Sequence, residues 1–243
     1  MTAARTLSYR IVAPPADAAQ GPLADEALLA LAVDGAAACI WQAPQGLVVP
    51  RTYAARSGFG DIRAELADQG WPVHVRQSGG GVVPQGPGIL NISLARRFTG
   101  RPLDHADAFY QHLCALLQAS LLDFGIEARA QTVEGSFCDG RYNLAVGSPA
   151  RKVVGTAQLW RHIPGHAVTQ QIGIVHAMIL AQCDTALATA RANQLEAALG
   201  SDRRYQPTSV DSLDHWLPKA RQPGFCTALR HDLLNRLRTW PAR

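Results

Sequence analysis

Three features of this 243-residue chain have residue types that could do chemistry: Cys138, Lys152 and the run Ser78-Gly79-Gly80-Gly81. Cys138 follows Glu134-Gly135-Ser136-Phe137 and precedes Asp139-Gly140, a strong turn signal, so it belongs on a loop. Cys39 sits in an apolar strand pattern and Cys114 on the apolar side of a helix, while Cys183 and Cys226 fall near element ends. A thiolate is the nucleophilic form of cysteine, and a free thiol near pKa about 8.5 needs a neighbouring cation to populate it at neutral pH. Lys152 is one such cation. Only it and Lys219 are lysines among 23 basic residues, and Lys152 interrupts the apolar run Arg151–Val154. An ammonium is a compact point charge, which a guanidinium cannot replace.

The triple glycine lies between two strand patterns, where missing Cβ atoms let backbone amides crowd around an anion or a carbonyl oxygen. Alone it reads equally as a flexible loop. No GxxxxGK[ST] motif is present, and a strand rather than a helix follows, which excludes the phosphate and dinucleotide fingerprints. His176 and Asn91 lie within apolar strands. Each reads either as a satisfied core group or as a group facing substrate.

The elements that must position these residues follow from periodicity. An extended arm reaches to about Gln20. Helices are expected at Pro22–Ala32, Asp61–Asp68, Asp104–Phe124, Leu187–Leu199 and Thr227–Thr239. In the longest, Phe109, Leu113, Leu116, Leu117 and Leu121 form one stripe. Ala37–Trp41 and Leu47–Val49 flank a Pro-Gln-Gly turn and read as a hairpin. Further strands are expected at Trp71–Arg76, Gly88–Ala95, Ile126–Val133, Tyr142–Val146, Arg151–Val154, Thr156–Arg161 and Gln170–Leu180. The pattern indicates an α+β fold: an arm over 1–20, a catalytic domain over 21–200 and a helical extension of that domain over 201–243. A hairpin between Tyr142–Val146 and Arg151–Val154 places Lys152 opposite about Ala145. A straight chain would hold Cys138 more than about 20 Å away, so the loop must fold back if the two are to meet.

Composition narrows the function classes. A 47% hydrophobic, 17% charged chain is not disordered. The net charge of +4, with no dense basic run carrying aromatics, points away from nucleic acid and suits an acidic protein partner. Arg203, Arg204, Arg221, Arg230, Arg236 and Arg238 make the C-terminal region attractive to one. Five cysteines without a CxxC pair or zinc spacing indicate a reducing compartment and no metal site. Met1–Ala13 has no apolar signal core, and the longest apolar stretch, Ile172–Ala181, is too short for a membrane span, so a cytoplasmic protein is expected.

RQSGGGVVPQGPGILNIS from Arg76, CDGRYNLAV from Cys138 and RKVVGTAQ from Arg151 together resemble the lipoate-protein ligase and octanoyltransferase superfamily. The resemblance covers roughly Pro22 to Asp184. It implies a mixed β-sheet with packed helices, the class II synthetase-like fold of biotin and lipoate ligases. It also implies an acyl pocket built from Arg76, Ser78, Gly79, Gly80, Gly81, Asn91 and the Leu90–Ser93 strand, with Lys152, Gly155, Thr156 and Ala157 on the lysine strand. His176, in IVHAMIL, resembles the family's His-Gly-x-x-Leu strand, with Ala177 in place of the glycine. Ligases carry two arginines before the loop and a His-Asp pair after it, whereas this chain has Val75 and Gln85-Gly86 there. Ser136–Leu144 instead resembles the segment bearing the acyl-thioester cysteine of the transferases.

The resemblance therefore implies transfer of an octanoyl or lipoyl group through Cys138 to a lysine of a lipoyl-domain carrier, without a cofactor. The carrier would be of the glycine-cleavage H protein or dehydrogenase E2 type, or the donor an acyl carrier protein. The glycine-loop amides would face the oxyanion, and Val82-Val83 and Ile89-Leu90 would line the acyl slot. Each buried methylene contributes about 0.8 kcal/mol. The alternatives are an ATP- and Mg-dependent ligase using Lys152 on an acyl-adenylate, and a non-catalytic acyl-binding module.

Overall fold

Apolar and β-branched runs in the middle of the chain build a large sheet whose two faces are covered by different layers. The computed structural model describes residues 8–17, 19, 21 and 24–242. The rest of the expected arm and the expected helix start at Pro22 lie outside the described residues. In chain order the elements are β1 (Arg10–Val12), α1 (Ala24–Leu31), β2 (Ala36–Trp41), β3 (Gly46–Pro50), α2 (Arg51–Ala54), α3 (Phe59–Asp68), β4 (Val73–Arg76) and β5 (Val83–Gln85). There follow β6 (Ile89–Thr99), α4 (Pro102–Asp123), β7 (Arg129–Ala130), β8 (Leu144–Val146), β9 (Arg151–His162), β10 (Gln170–Leu180), α5 (Thr185–Ala198) and α6 (Phe225–Thr239). Among the described residues these strands form a seven-stranded mixed sheet, ordered β1-β2-β6-β10-β9-β8-β7, and a three-stranded sheet, ordered β4-β3-β5.

Several expectations change. The predicted hairpin of Ala37–Trp41 and Leu47–Val49 does not exist: β2 pairs with β1 and β6, whereas β3 pairs with β4 and β5 in the other sheet. The turn between them carries the chain from one layer to the next. Part of the N-terminal arm, Arg10–Val12, is a strand parallel to β2. The strand expected over Ile126–Val133 shrinks to Arg129–Ala130, and the two runs from Arg151 to Arg161 are one continuous strand.

Alternation along the central strands sorts their side chains. Leu90, Ile92 and Leu94 of β6 join Val175 and Ile179 of β10 in one apolar cluster with the Phe109, Leu113, Leu116, Leu117 and Leu121 stripe of α4. Leu229, Leu233 and Leu237 of α6 complete that layer. The other face of the sheet meets α1 at one end, through Leu28, Leu29 and Ala32 against Cys39 and Ile174. At its other end Ile89, Met178 and Leu180 pack with Leu47, Val49 and Val82 of the smaller sheet region. The face left between these two coverings carries Asn91, Ser93 and His176.

The smaller layer is fastened by a buried carboxylate. Glu196 of α5 is fully buried and accepts hydrogen bonds from the hydroxyls of Tyr53 and Tyr205, the latter at 2.7 Å, with Arg56 3.6 Å away. Burial raises its pKa, but the tyrosine hydrogen bonds and the Arg203 charge outweigh that and hold the carboxyl below its ordinary 4.5. A carboxyl with a lowered folded pKa contributes stability above its unfolded value and loses it as pH falls through the folded one. Glu196→Ala should lower the unfolding free energy by about 3–5 kcal/mol in urea titrations. Glu196→Gln should lose less at neutral pH and should lack the extra loss that the natural protein shows below about pH 4.5.

Candidate active site

Arg76 ends β4 inside the molecule and builds the glycine loop around itself. Its Nη1 donates to the Val48 carbonyl of β3 at 2.9 Å, and its Nη2 donates to the carbonyls of Gly79 and Gly81 at 2.8 Å each. With these carbonyls turned inward, the Gly81 N–H points outward and donates to Cys138 Sγ at 3.2 Å. Gly80 has φ +104°, and a Cβ there would lie 2.7 Å from that sulfur. Only glycine fits.

Cys138 is itself in the left-handed region, with φ +50°, a conformation that costs a non-glycine residue about 1–2 kcal/mol. The surrounding loop holds it there. Asp139 Oδ1 accepts from the Val133 and Gly140 amides at 2.9 and 2.8 Å and from Asn143 Nδ2 at 3.2 Å. The loop does fold back over the lysine: Lys152 Nζ donates to the carbonyls of Phe137 at 2.5 Å and Cys138 at 2.9 Å.

A β-bulge aims Lys152. In the β8–β9 ladder Leu144 pairs with Val154 and Ala145 with Lys152, which leaves Val153 as an extra residue. Val153 and Val154 therefore both enter the α4 core, and Lys152 turns to the opposite face with Gly155 and Ala157. The lysine side chain is fully buried, and burial pushes its ammonium down to about 8 against the opposing pull of Cys138 and Asp139. A Cβ on Gly155 would stand 3.1 Å from both Cε and Nζ of Lys152.

These groups lie at one end of a cleft between the two sheets, which encloses about 580 Å³ counting its open mouth. Its floor crosses the strands. Gly155, Met178, Asn91 and Trp41 are successive cross-strand partners on β9, β10, β6 and β2, and all four line the cleft. Val48, Arg76, Val83 and Gln85 of the smaller sheet line it from the other side. Gln85 and Asn91 exchange two amide hydrogen bonds, at 3.0 and 2.8 Å, across the corner between the sheets. Ser78 Oγ lies 3.2 Å from His176 Nε2.

The structure thus brings Arg76, Ser78, Gly79, Gly80, Gly81, Asn91, Cys138, Lys152, Gly155, Ala157 and His176 to one cleft or its rim. Thr156 also lines the cleft, while its hydroxyl donates to the Tyr142 carbonyl at 3.0 Å and its amide to Asn143 Oδ1 at 3.3 Å, so it also supports the cysteine loop. Of the apolar residues expected along the slot, Val83 lines it, but Leu90 faces α4. Sequence reasoning passed over Trp41, Met178 and Asn143. The first two fall on the cleft face only through the pairing of β2, β6 and β10, and Asn143 gave no signal beyond its place in the cysteine segment.

Residues 26–224 match the family model of the lipoyl protein ligase A/B catalytic domain. An uncharacterised protein of Cupriavidus necator is 47% identical over 81% of this chain and 81% of its own length. An octanoyl-[GcvH]:protein N-octanoyltransferase of Kyrpidia tusciae is 39% identical over half of this chain, an alignment that spans 41% of the relative's length. A bi-partite lipoate protein ligase of Thermoplasma acidophilum, solved with its E2 lipoyl domain, shares the fold with a TM-score of 0.64 at 16% identity, over 95% of this chain and 82% of the other.

Gly155→Ala should displace the Lys152 ammonium while leaving the fold intact by circular dichroism. Alkylation of Cys138 by iodoacetamide at pH 7 should then slow by roughly three- to tenfold. An unchanged rate would show that the ammonium does not act on the sulfur.

Proposed function

Because the chain belongs to the lipoyl protein ligase A/B catalytic domain family, we propose that it is a protein acyltransferase. In this reading it moves an octanoyl or lipoyl group through a Cys138 thioester onto the acceptor lysine of a lipoyl-domain carrier. The observation that carries this reading is a cysteine in strained backbone whose carbonyl is held by a buried ammonium and whose sulfur accepts from an amide of a glycine loop, in a mostly apolar cleft.

In this reading each group has a task. Cys138 Sγ attacks the acyl carbonyl of the donor, and the donor's leaving group departs with a proton. The acceptor amine then attacks the thioester, and the thiol is regenerated. The glycine-loop amides are the donors for the tetrahedral oxyanion. Lys152 supplies a fixed positive charge beside the reacting atoms, with its stem held by Gly155. The cleft suits the acyl chain in length. Three strand spacings from Gly155 to Trp41 give about 14 Å between backbones. An extended eight-carbon chain needs about 9 Å, at C–C bonds near 1.5 Å.

Lipoyl-domain carriers, rather than acyl carrier proteins, are the partners favoured by the names of the relatives, which specify GcvH and an E2 lipoyl domain. Among the described residues no helix is long and apolar enough to cross a membrane. We also treat residues 201–243 as part of the same domain, because Leu229, Leu233 and Leu237 share the α4 core. The ATP-dependent alternative gains nothing from the site: Gln85, in the place of the ligases' histidine, is a neutral amide engaged with Asn91.

Intact-protein mass spectrometry tests the proposal. Incubation with an octanoylated lipoyl-domain carrier, without ATP, should add one octanoyl group to the natural protein and none to Cys138→Ala, and only the former should pass the group to an acceptor carrier. Transfer that requires ATP and survives Cys138→Ala would assign a ligase instead. The ammonium is lost as pH rises through about 8, so transfer should decline on the alkaline side with an apparent pKa near that value. The decline should be absent from the residual activity of Lys152→Met.

A further inference from the structure

Asn143 is fully buried beside the cysteine loop, yet it carries an amide, and no step of the proposed reaction uses it. Its two ends hold two different elements. Oδ1 accepts from the Thr156 amide of β9 at 3.3 Å. Nδ2 donates to the Cys138 carbonyl at 3.4 Å and to Asp139 Oδ1 at 3.2 Å. The Cys138 carbonyl is the same oxygen that accepts from Lys152 Nζ at 2.9 Å. A carbonyl oxygen can accept two hydrogen bonds, and here both the lysine and the asparagine donate to it.

That shared oxygen fixes the peptide plane following Cys138, and with it the left-handed backbone that directs Sγ at the Gly81 amide. The side chain required must accept at one end and donate at the other, and must be short. Aspartate has the shape but no donor, and it would set a second carboxylate beside Asp139. Glutamine is one methylene too long for a fully buried site.

We propose that Asn143 is a positioning residue for the nucleophile: it tethers the Cys138 peptide to β9 and thereby holds the sulfur in register with the glycine loop and Lys152. This rests on the acyl-transfer reading for its purpose, but the tether is measurable without transfer, because alkylation reports the sulfur directly.

Asn143→Asp and Asn143→Ala are compared with the natural protein by iodoacetamide alkylation of Cys138 and by acylation of Cys138 from an octanoylated carrier. Both variants should keep the circular dichroism spectrum and slow both reactions by roughly ten- to a hundredfold, with KM for the carrier within about threefold, because the carrier's surface is untouched. The Asp variant should also move the alkaline decline of acylation above pH 8. Its carboxylate joins Cys138 and Asp139 as a group acting on Lys152 and favours the ammonium. A purely structural role would lower stability without moving that decline. Unchanged alkylation in both variants, or slowing that follows only their thermal stability, overturns the proposal. If the natural protein acylates nothing while both Asn143 variants still slow alkylation beyond what their thermal stability explains, the transfer reading falls and the tether stands.

Discussion

Everything around the cleft depends on burying one ammonium. A charge taken out of water must be given hydrogen-bond acceptors or lose its proton. Lys152 receives the carbonyls of Phe137 and Cys138. Supplying two consecutive carbonyls to one nitrogen requires the chain to curl back at the cysteine, which explains the left-handed backbone at Cys138 and the hydrogen bonds that secure it. The same demand explains Gly155, whose missing side chain leaves the space the lysine stem occupies, and the bulge at Val153, which delivers the side chain to the right face.

The second layer solves a complementary problem. A glycine loop long enough to surround a carbonyl oxygen has little to hold its shape, and Arg76 supplies that shape from behind by binding one carbonyl of β3 and two of the loop. The guanidinium fits because its fan of donors reaches several carbonyls at once, which an ammonium would do less rigidly. Arginine in the smaller sheet thus shapes the glycine loop and lysine in the larger one shapes the cysteine loop, each through backbone carbonyls and each used for the geometry of its own charge.

Much of this was legible in the sequence, and the parts that were not have identifiable reasons. Cys138, Lys152, Arg76 and the glycine run stand out because backbone access, buried charge and turn chemistry restrict the residue types there. The stripe from Phe109 to Leu121 and the span Gln170–Leu180 follow from periodicity, and both match the structure. The hairpin expected before Val49 failed because two apolar runs around a turn look alike whether they pair with each other or part into separate sheets. The facing of Lys152 was hidden by the bulge, since strict alternation places it with Val154. The support that Thr156 and Asn143 give the cysteine loop could not be read without knowing that the loop returns to β9. Trp41 and Met178 became neighbours of the site only through three strand pairings distant in sequence.

The contact between the Gly81 amide and Cys138 Sγ carries a consequence for timing. A cysteine sulfur can accept a hydrogen bond, whereas the sulfur of a thioester is a poorer acceptor. In the proposed reaction the amide would therefore be released at the moment the acyl group arrives, with a fresh carbonyl oxygen two bonds from its former partner. One N–H would serve the resting nucleophile and then the bound acyl group in turn, and the glycine loop would need no motion to change its role.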